Sequence, residues 1–287
     1  MTLRKHRWAF LALPNILLLM LFFIWPLLYI LLYSIYTYDP FQIFIRKFTW
    51  ENYVKVLTND LYVNAIFNTF QLAIIVTFFV IIMAYPVAYY LARTKSKTED
   101  TIISFMILAP VLISVVTTSF SWVILLSPFG TLYRILNALN LIDGPLRIMF
   151  TKTGIIIGLT YGQIAYMVMT LRSALSNIDW SLIKAAKVLG ASPARAFYEI
   201  TLPLSLPGVF FGAIVTFSLS LSSFVTPYLL GSRLVKVMSI FIYDNIVSVY
   251  NWPLGSATAT VLFIITTILL GLITYIFEKR LFGWLKY

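Results

Sequence analysis

The sequence is poor in the residues that carry most enzyme chemistry. Its 287 residues include no cysteine and one histidine, His6, and only 11% of them are charged. Disulfides, thiolate metal sites and histidine-based catalysis are therefore excluded. The sequence also lacks a G-x-x-x-x-G-K-[S/T] phosphate loop, an H-E-x-x-H or G-x-S-x-G motif, and paired carboxylates within an apolar run. These absences predict a protein that is not an enzyme and does not bind ATP through a P-loop.

Apolar residues dominate the composition. They make up 61% of the chain, against about 45 to 50% in soluble domains, and the mean hydropathy is +0.92. Runs of membrane-spanning length predict an all-α polytopic membrane protein that forms a single domain over 1–287. The six predicted spans are 8–36, 68–91, 101–126, 153–171, 206–230 and 255–277.

The distribution of basic residues predicts the orientation. The two termini and the segments 93–100 and 172–205 together hold 13 of the 21 Lys and Arg residues. The segments 37–67, 127–152 and 231–254 hold the other 8, although together they cover more residues. By the positive-inside rule both termini are predicted to be cytoplasmic. The formal charge of +11 does not predict nucleic-acid binding, because the basic residues are scattered singly along short loops.

The segment 177–205 is polar and amphipathic, although it lies between two membrane-length apolar runs. Its pattern predicts two short helices joined by an elbow. Asp179 caps the first, Gly190 ends it in a left-handed turn, and Ser192 with Pro193 opens the second. Helices of about ten residues are marginal in water by themselves, so the pattern also predicts an apolar partner surface outside this chain.

Two short motifs within this segment carry a family resemblance. K-A-A-K-V-L-G at 184–190 and I-T-L-P at 200–203 resemble the cytoplasmic loop of permease subunits of binding-protein-dependent ABC importers. Within that group the second half of the chain is similar to the B-type spermidine/putrescine permeases. The similar segments are 145–151, 155–159, 167–169 and 251–257.

The resemblance implies a fold, a location and a set of partners. The fold would be the type I importer permease fold in the bacterial cytoplasmic (inner) membrane, surrounded by lipid. The partners would be a homologous second permease subunit, a dimer of ATPase subunits and an external substrate-binding protein, with no nucleic acid. ATP and Mg would be bound by the ATPase, so no cofactor is expected in this chain.

The resemblance also implies a coupling role for the segment 177–205, whose helices would enter a cleft on the ATPase. The implied contact residues are Lys184, Ala185, Ala186, Leu189, Gly190 and Pro203. Lys184 departs from the family pattern, because relatives usually carry glutamate at that position. The resemblance therefore implies that a salt bridge to the ATPase at this position would be absent or reversed.

The expected substrate is a polyamine or a related small organic amine, which carboxylates or aromatic faces would attract. The candidate path residues are Trp122, Tyr161, Gln163, Tyr166, Ser222 and Asp244. Two features point elsewhere. Arg172 suits a zwitterion or anion better, although a basic anchor at the cytoplasmic end of a span explains it equally well. The run 223–227 also resembles permeases for opines, aminophosphonates, amino acid-like compounds or ferric ion.

Two further alternatives stay open at this point. A self-sufficient secondary carrier would need a coupling-ion site and usually an inverted repeat, and neither is visible. The G-x-x-x-G steps at Gly154, Gly158 and Gly162 and at Gly208 and Gly212 predict close helix packing. That packing could be either within the chain or between subunits.

Overall fold

The computed structural model describes residues 13–231 and 234–279, and these residues are mostly helical. The helices are α1 (Leu13–Ser34), α2 (Glu51–Thr58), α3 (Asp60–Arg93), α4 (Lys97–Leu112), α5 (Val115–Leu126), α6 (Thr131–Ala138), α7 (Lys152–Ser176), α8 (Ser181–Val188), α9 (Pro193–Ser222), α10 (Val225–Gly231), α11 (Met238–Tyr243) and α12 (Trp252–Phe277). Within the described residues, six helical stretches are long and apolar enough to cross a membrane: α1, α3, the stretch Val115–Ala138, α7, α9 and α12.

Contacts divide the chain into two compact units. The described part of the first comprises 13–66 and 238–279. Its core packs Val56 and Tyr62 against Met238, Phe241 and Leu254. The described part of the second comprises 67–231 and 234–237.

A short antiparallel hairpin in the first unit was not predicted. Strand β1 (Tyr36–Asp39) pairs with β2 (Ile43–Phe48), and Tyr38 lies opposite Phe44. The Asp39 carboxylate accepts the backbone N–H groups of Phe41 and Gln42, both at 2.8 Å, which closes the turn. Hydropathy did not reveal this hairpin, because the apolar run of α1 continues without a break into β1.

The second unit is organised around the packing of α9 on α7. A side-chain carbon at Gly208 would lie 2.4 Å from the Ala174 Cβ, and one at Gly212 would lie 2.4 Å from the Met167 sulfur. Gly158 similarly lets Thr226 of α10 approach α7. These small residues therefore pack helices within the chain, whereas Gly162 faces open space.

Two predicted spans are interrupted in the structure. The predicted span 101–126 breaks at Ile113 and Ser114, whose ψ angles of 140° and 135° are incompatible with a helix. The predicted span 206–230 breaks after Ser222, because Ser223 takes an extended ψ of 128°. Both predictions of a continuous helix were wrong, since hydropathy measures the apolar content of a run and not the path of its backbone.

The other boundaries differ in smaller ways. The predicted span 8–36 corresponds to α1, which ends at Ser34, and residues 8–12 of that prediction lie outside the described residues. The predicted spans 68–91, 153–171 and 255–277 correspond to α3, α7 and α12, each of which is longer. Helices α3 and α7 extend into polar residues, because capping groups and not apolarity set where they end.

Candidate transport path and exposed loop

The loop between α7 and α9 has the local geometry that its sequence predicts. Gly190 takes a φ of +87°, which L side chains rarely adopt, and it separates α8 from α9. The Ser192 hydroxyl accepts the Arg195 N–H at 3.2 Å, and Pro193 occupies the first turn. The elbow and the opening of the second helix are confirmed.

One part of the loop prediction was wrong. The second helix is not a short piece, because α9 runs from Pro193 to Ser222 and includes a π-helical turn at Phe197–Thr201. Pro203 does not end α9. It lies in the first turn after the π-helical segment, where the backbone N–H that proline lacks is not needed for the hydrogen bonds of the helix. The elbow is therefore joined directly to a helix of membrane-spanning length.

Asp179 lies at the start of α8. The predicted cap is displaced by one residue, because Trp180 occupies the N-cap position and makes no side-chain cap hydrogen bond. The Asp179 carboxylate, one residue earlier, accepts the Ser181 N–H at 2.9 Å. Hydrogen bonds from the Ser181 hydroxyl and backbone lower the pKa of the Asp179 carboxyl below its ordinary value. The carboxyl is therefore anionic at neutral pH, which the helix dipole also favours at this end.

The loop presents apolar side chains to its surroundings. Val188 and Leu189 are each 87% exposed at the end of α8, whereas Ile183 on the opposite face is 8% exposed. Lys184 and Ala185 are also exposed, and Ala186 is partly buried. The buried face packs against the rest of its own unit, and the other face exposes an apolar patch.

A cleft of about 400 Å³ lies within the second unit. Most of its surface is apolar, and we call it the polar cleft after the serine, threonine, glutamine and tyrosine side chains in its lining. It brings together three of the predicted path residues: Gln163, Tyr166 and Ser222. It is also lined by Pro110, Val111, Ile113, Val115, Thr118, Ser119, Gly158, Leu159, Gly162, Leu219, Ser223, Phe224, Val225 and Thr226. All of these side chains are uncharged.

Hydrogen bonds hold the polar groups of this cleft in place. The Ser220 hydroxyl, on α9, donates to the Gln163 side-chain oxygen at 3.0 Å. Ser119 and Thr226 share a hydrogen bond of 3.1 Å. Sequence reasoning missed Thr118, Ser119 and Thr226, because a threonine or serine within an apolar run gives no sign of the face on which it lies.

The remaining path candidates lie elsewhere. Trp122 and Tyr161 line a separate, mostly apolar cleft of about 500 Å³ in the same unit, which we call the apolar cleft. Their ring centroids are 5.5 Å apart in an edge-to-face arrangement. Asp244 belongs to the first unit, where it begins the π-helical turn Asp244–Ser248. The six candidates therefore do not form one cluster within either unit.

Arg172 has a partner that the sequence did not reveal. Its guanidinium lies 2.8 Å from the Asp100 carboxylate and donates to the Ser104 hydroxyl at 2.9 Å. Both charged side chains are about one-third exposed, so this ion pair joins α4 to α7 near the surface. With Asp100 as its partner, Arg172 does not present an unpaired charge, so it gives little support to the expectation of a zwitterionic or anionic substrate.

A helical membrane protein with a neutral polar cleft and a capped, exposed loop has the features of a transport permease. Residues 7–283 match the family of binding-protein-dependent transport system inner membrane components, and the chain belongs to this family. It is therefore a multi-pass transmembrane subunit of a bacterial ABC importer. The sequence-based assignment is confirmed.

Individual relatives agree with this assignment. The spermidine/putrescine transport system permease protein PotB of Escherichia coli (strain K12) is 31% identical over 261 residues, covering 91% of this chain and 93% of that protein. The fold resembles that of a bacterial ABC transporter involved in the import of the acidic polysaccharide alginate. The match has a TM-score of 0.80 and 18% identity, and it covers 96% of this chain and 97% of the other.

The same fold occurs in a bacterial alginate ABC transporter in complex with an alginate pentasaccharide-bound periplasmic protein. There the TM-score is 0.79 at 19% identity, with 96% of each chain covered. At this level of identity the similarity shows the type I permease fold and not the substrate.

Proposed function

We propose that this chain forms half of the translocation path for spermidine, putrescine or a related small organic amine. The observation that carries the proposal is the relationship to PotB, which is named for spermidine and putrescine and aligns with 91% of this chain. The other half of the path would come from a homologous second permease subunit.

The chemistry of the polar cleft supports an amine substrate. Hydroxyl oxygens at Ser222 and Thr118 and the amide oxygen of Gln163 can accept hydrogen bonds from ammonium groups. The ring of Tyr166, which is 39% exposed, offers a cation–π contact worth about 0.5 to 2 kcal/mol. Because the lining carries no charge, a polycation would meet no repelling cation there.

We further propose that segment 177–205 couples this path to ATP hydrolysis. Leu189 and Val188 would supply the apolar area of the contact with an ATPase subunit, and Ala185 would permit close approach. Lys184 is exposed at the same surface, where it would favour an acidic side chain on the ATPase. ATP and Mg would be bound by the ATPase dimer, and an external binding protein would deliver the substrate.

The test is the ATPase activity of the purified complex in lipid, measured with its binding protein and a panel of ligands. The panel contains spermidine, putrescine, a zwitterionic amine and an aminophosphonate. Stimulation by the polyamines alone is the expected result. Stimulation by another ligand alone would keep the importer mechanism and overturn the substrate. ATPase activity that does not depend on the partners would overturn the coupling role of segment 177–205.

A further inference from the structure

A cluster of aromatic side chains joins the Arg93 end of α3 to both sides of the exposed loop. The Tyr89 ring lies 5.9 Å from the Trp180 ring, which precedes α8, and 5.8 Å from the Phe197 ring, which follows the elbow. Tyr85 contacts the same Phe197 ring at 5.6 Å. All three contacts are edge-to-face, a geometry that favours aromatic pairs beyond their burial alone.

Arg93 completes this cluster. Its guanidinium carbon lies 5.2 Å from the centroids of both the Tyr89 and Trp180 rings, within the range of a cation–π contact. The same guanidinium donates a hydrogen bond to the Tyr89 hydroxyl at 2.7 Å. We call these five residues, Tyr85, Tyr89, Arg93, Trp180 and Phe197, the aromatic clamp.

A further contact extends the clamp into α9. The Tyr85 hydroxyl and the Ser205 hydroxyl are 2.7 Å apart, so α3 is hydrogen-bonded to α9 beyond the π-helical turn. Tyr89 therefore contacts residues on both sides of Gly190, and Tyr85 contacts the helix that follows. The loop cannot shift relative to α3 without breaking several of these contacts at once.

We propose that Tyr89, Arg93 and Trp180 are positioning residues that make α3 move together with the exposed loop when the partner ATPase displaces that loop. This inference rests on the coupling role proposed above. The loop is covalently continuous with α7 and α9 only, and the clamp adds α3 through side-chain contacts alone.

Helix α3 connects the aromatic clamp to the wall of the apolar cleft. Pro86 lies between Tyr85 and Tyr89 and removes one backbone N–H from the α3 ladder, which makes this part of the helix a site where bending is tolerated. One and two turns further along α3, Met83 and Phe79 line the apolar cleft with Trp122 and Tyr161. A displacement of the loop would therefore reach the wall of that cleft.

The test compares substitutions at neighbouring positions of α3 in the complete complex in proteoliposomes. The readout is substrate uptake per ATP hydrolysed, which a merely structural role in this subunit would not alter once the complex has assembled. Tyr89→Leu removes the clamp ring and is expected to lower this ratio about threefold to tenfold. Tyr89→Phe keeps the ring, and its uptake per ATP hydrolysed is expected to stay close to that of the unaltered chain.

The matched control is Tyr90→Leu, the same change one residue along the helix. Tyr90 is 48% exposed and its hydroxyl bonds Glu99, outside the clamp. An unchanged ratio in Tyr89→Leu, or an equal loss in Tyr90→Leu, would overturn the proposal. Co-purification of the ATPase with the unaltered chain reports the docking separately, so its failure would instead reject the coupling role.

A distance measurement decides the question if Tyr89→Leu does not assemble. Because this chain has no cysteine, Lys95→Cys and Ala194→Cys introduce two label sites, one just beyond α3 and one in the first turn of α9. The proposal requires the distance between the two labels to stay the same with and without bound ATP. A distance that changes when ATP binds would show that α3 and the loop move independently.

Discussion

The exposed loop and the polar cleft are built in opposite ways. The turn of the loop comes from a few adjacent residues: Gly190, Ser192 and Pro193 produce it within one short stretch. The polar cleft gathers side chains from Pro110 to Thr226, far apart in the chain. The loop exposes apolar side chains together with Lys184, and the cleft sets neutral polar side chains into a mostly apolar wall. A permease that is moved by a partner ATPase would need both a docking loop and a passage. The loop depends on adjacent residues, whereas the cleft depends on residues that are far apart in the chain.

The largest effect is expected at the apolar end of the loop. Substituting Val188→Asp together with Leu189→Asp would force two carboxylates into the proposed contact, and uptake should fall about thirtyfold, as at interface hot spots. Thermal stability of the subunit should not change, because both side chains are 87% exposed. Uptake assays measure the loss of transport, and co-purification with the ATPase measures the loss of the contact. Leu189→Met is the control, and wild-type uptake in the double variant would contradict the docking surface.

A smaller loss is expected when the elbow is strained. Gly190 has a φ of +87° and open space around its α-carbon, so Gly190→Val would introduce backbone strain without a clash. Strain of about 1 to 2 kcal/mol should shift the angle of α8 and lower uptake about tenfold, with ATP hydrolysis less affected. Gly190→Asn should be milder, because asparagine tolerates the left-handed region. Equal uptake in the valine and asparagine variants would show that the elbow angle does not matter.

Ser222→Asp tests the neutral character of the polar cleft. Ser222 is exposed in the cleft, and its hydroxyl bonds the Ser218 carbonyl of its own helix at 3.1 Å. An added carboxylate should raise the uptake of a polyamine relative to that of an aminophosphonate about fivefold, as expected for about 1 kcal/mol of attraction. Competitive uptake of the two ligands measures the ratio. Ser222→Asn is the neutral control, and an unaltered ratio would place the substrate path outside this cleft.

The smallest effect is expected for Asp244→Asn. This residue belongs to the first unit and does not line the polar cleft, so its charge would act only on an approaching cation or on the binding protein. Uptake of a polyamine should weaken about twofold at low ionic strength and less at high salt. Initial uptake rates at two salt concentrations measure this. Rates equal to those of the unaltered chain would identify Asp244 as a bystander.

Sequence reasoning succeeded where the determining interactions are local. Gly190 and Ser192 were predicted with their roles, because a left-handed turn and a helix cap depend on residues a few positions apart. It failed at Ile113 and Ser223, where the helices break within runs of high mean hydropathy that also contain serine and proline residues. Hydropathy averages over such a run and does not register one or two extended residues.

The prediction of the path residues was partly correct for a related reason. Gln163 and Tyr166 lie three residues apart and share one face of α7, so they were found together in the polar cleft. Tyr161 lies two residues from Gln163 and lines the apolar cleft instead. The helical period separates residues two positions apart by about 200°, but only the packed neighbours determine what each face meets.

The sequence by itself determined the membrane class, the family and the turn of the exposed loop, because composition, apolar length and capping act over short distances along the chain. The tertiary structure decided which small residues pack helices together, as at Gly208 against Ala174, and which face open space, as at Gly162. It also decided that Arg172 is neutralised by Asp100, 72 positions away. Such contacts depend on how helices cross, and many different crossings are compatible with the same apolar pattern.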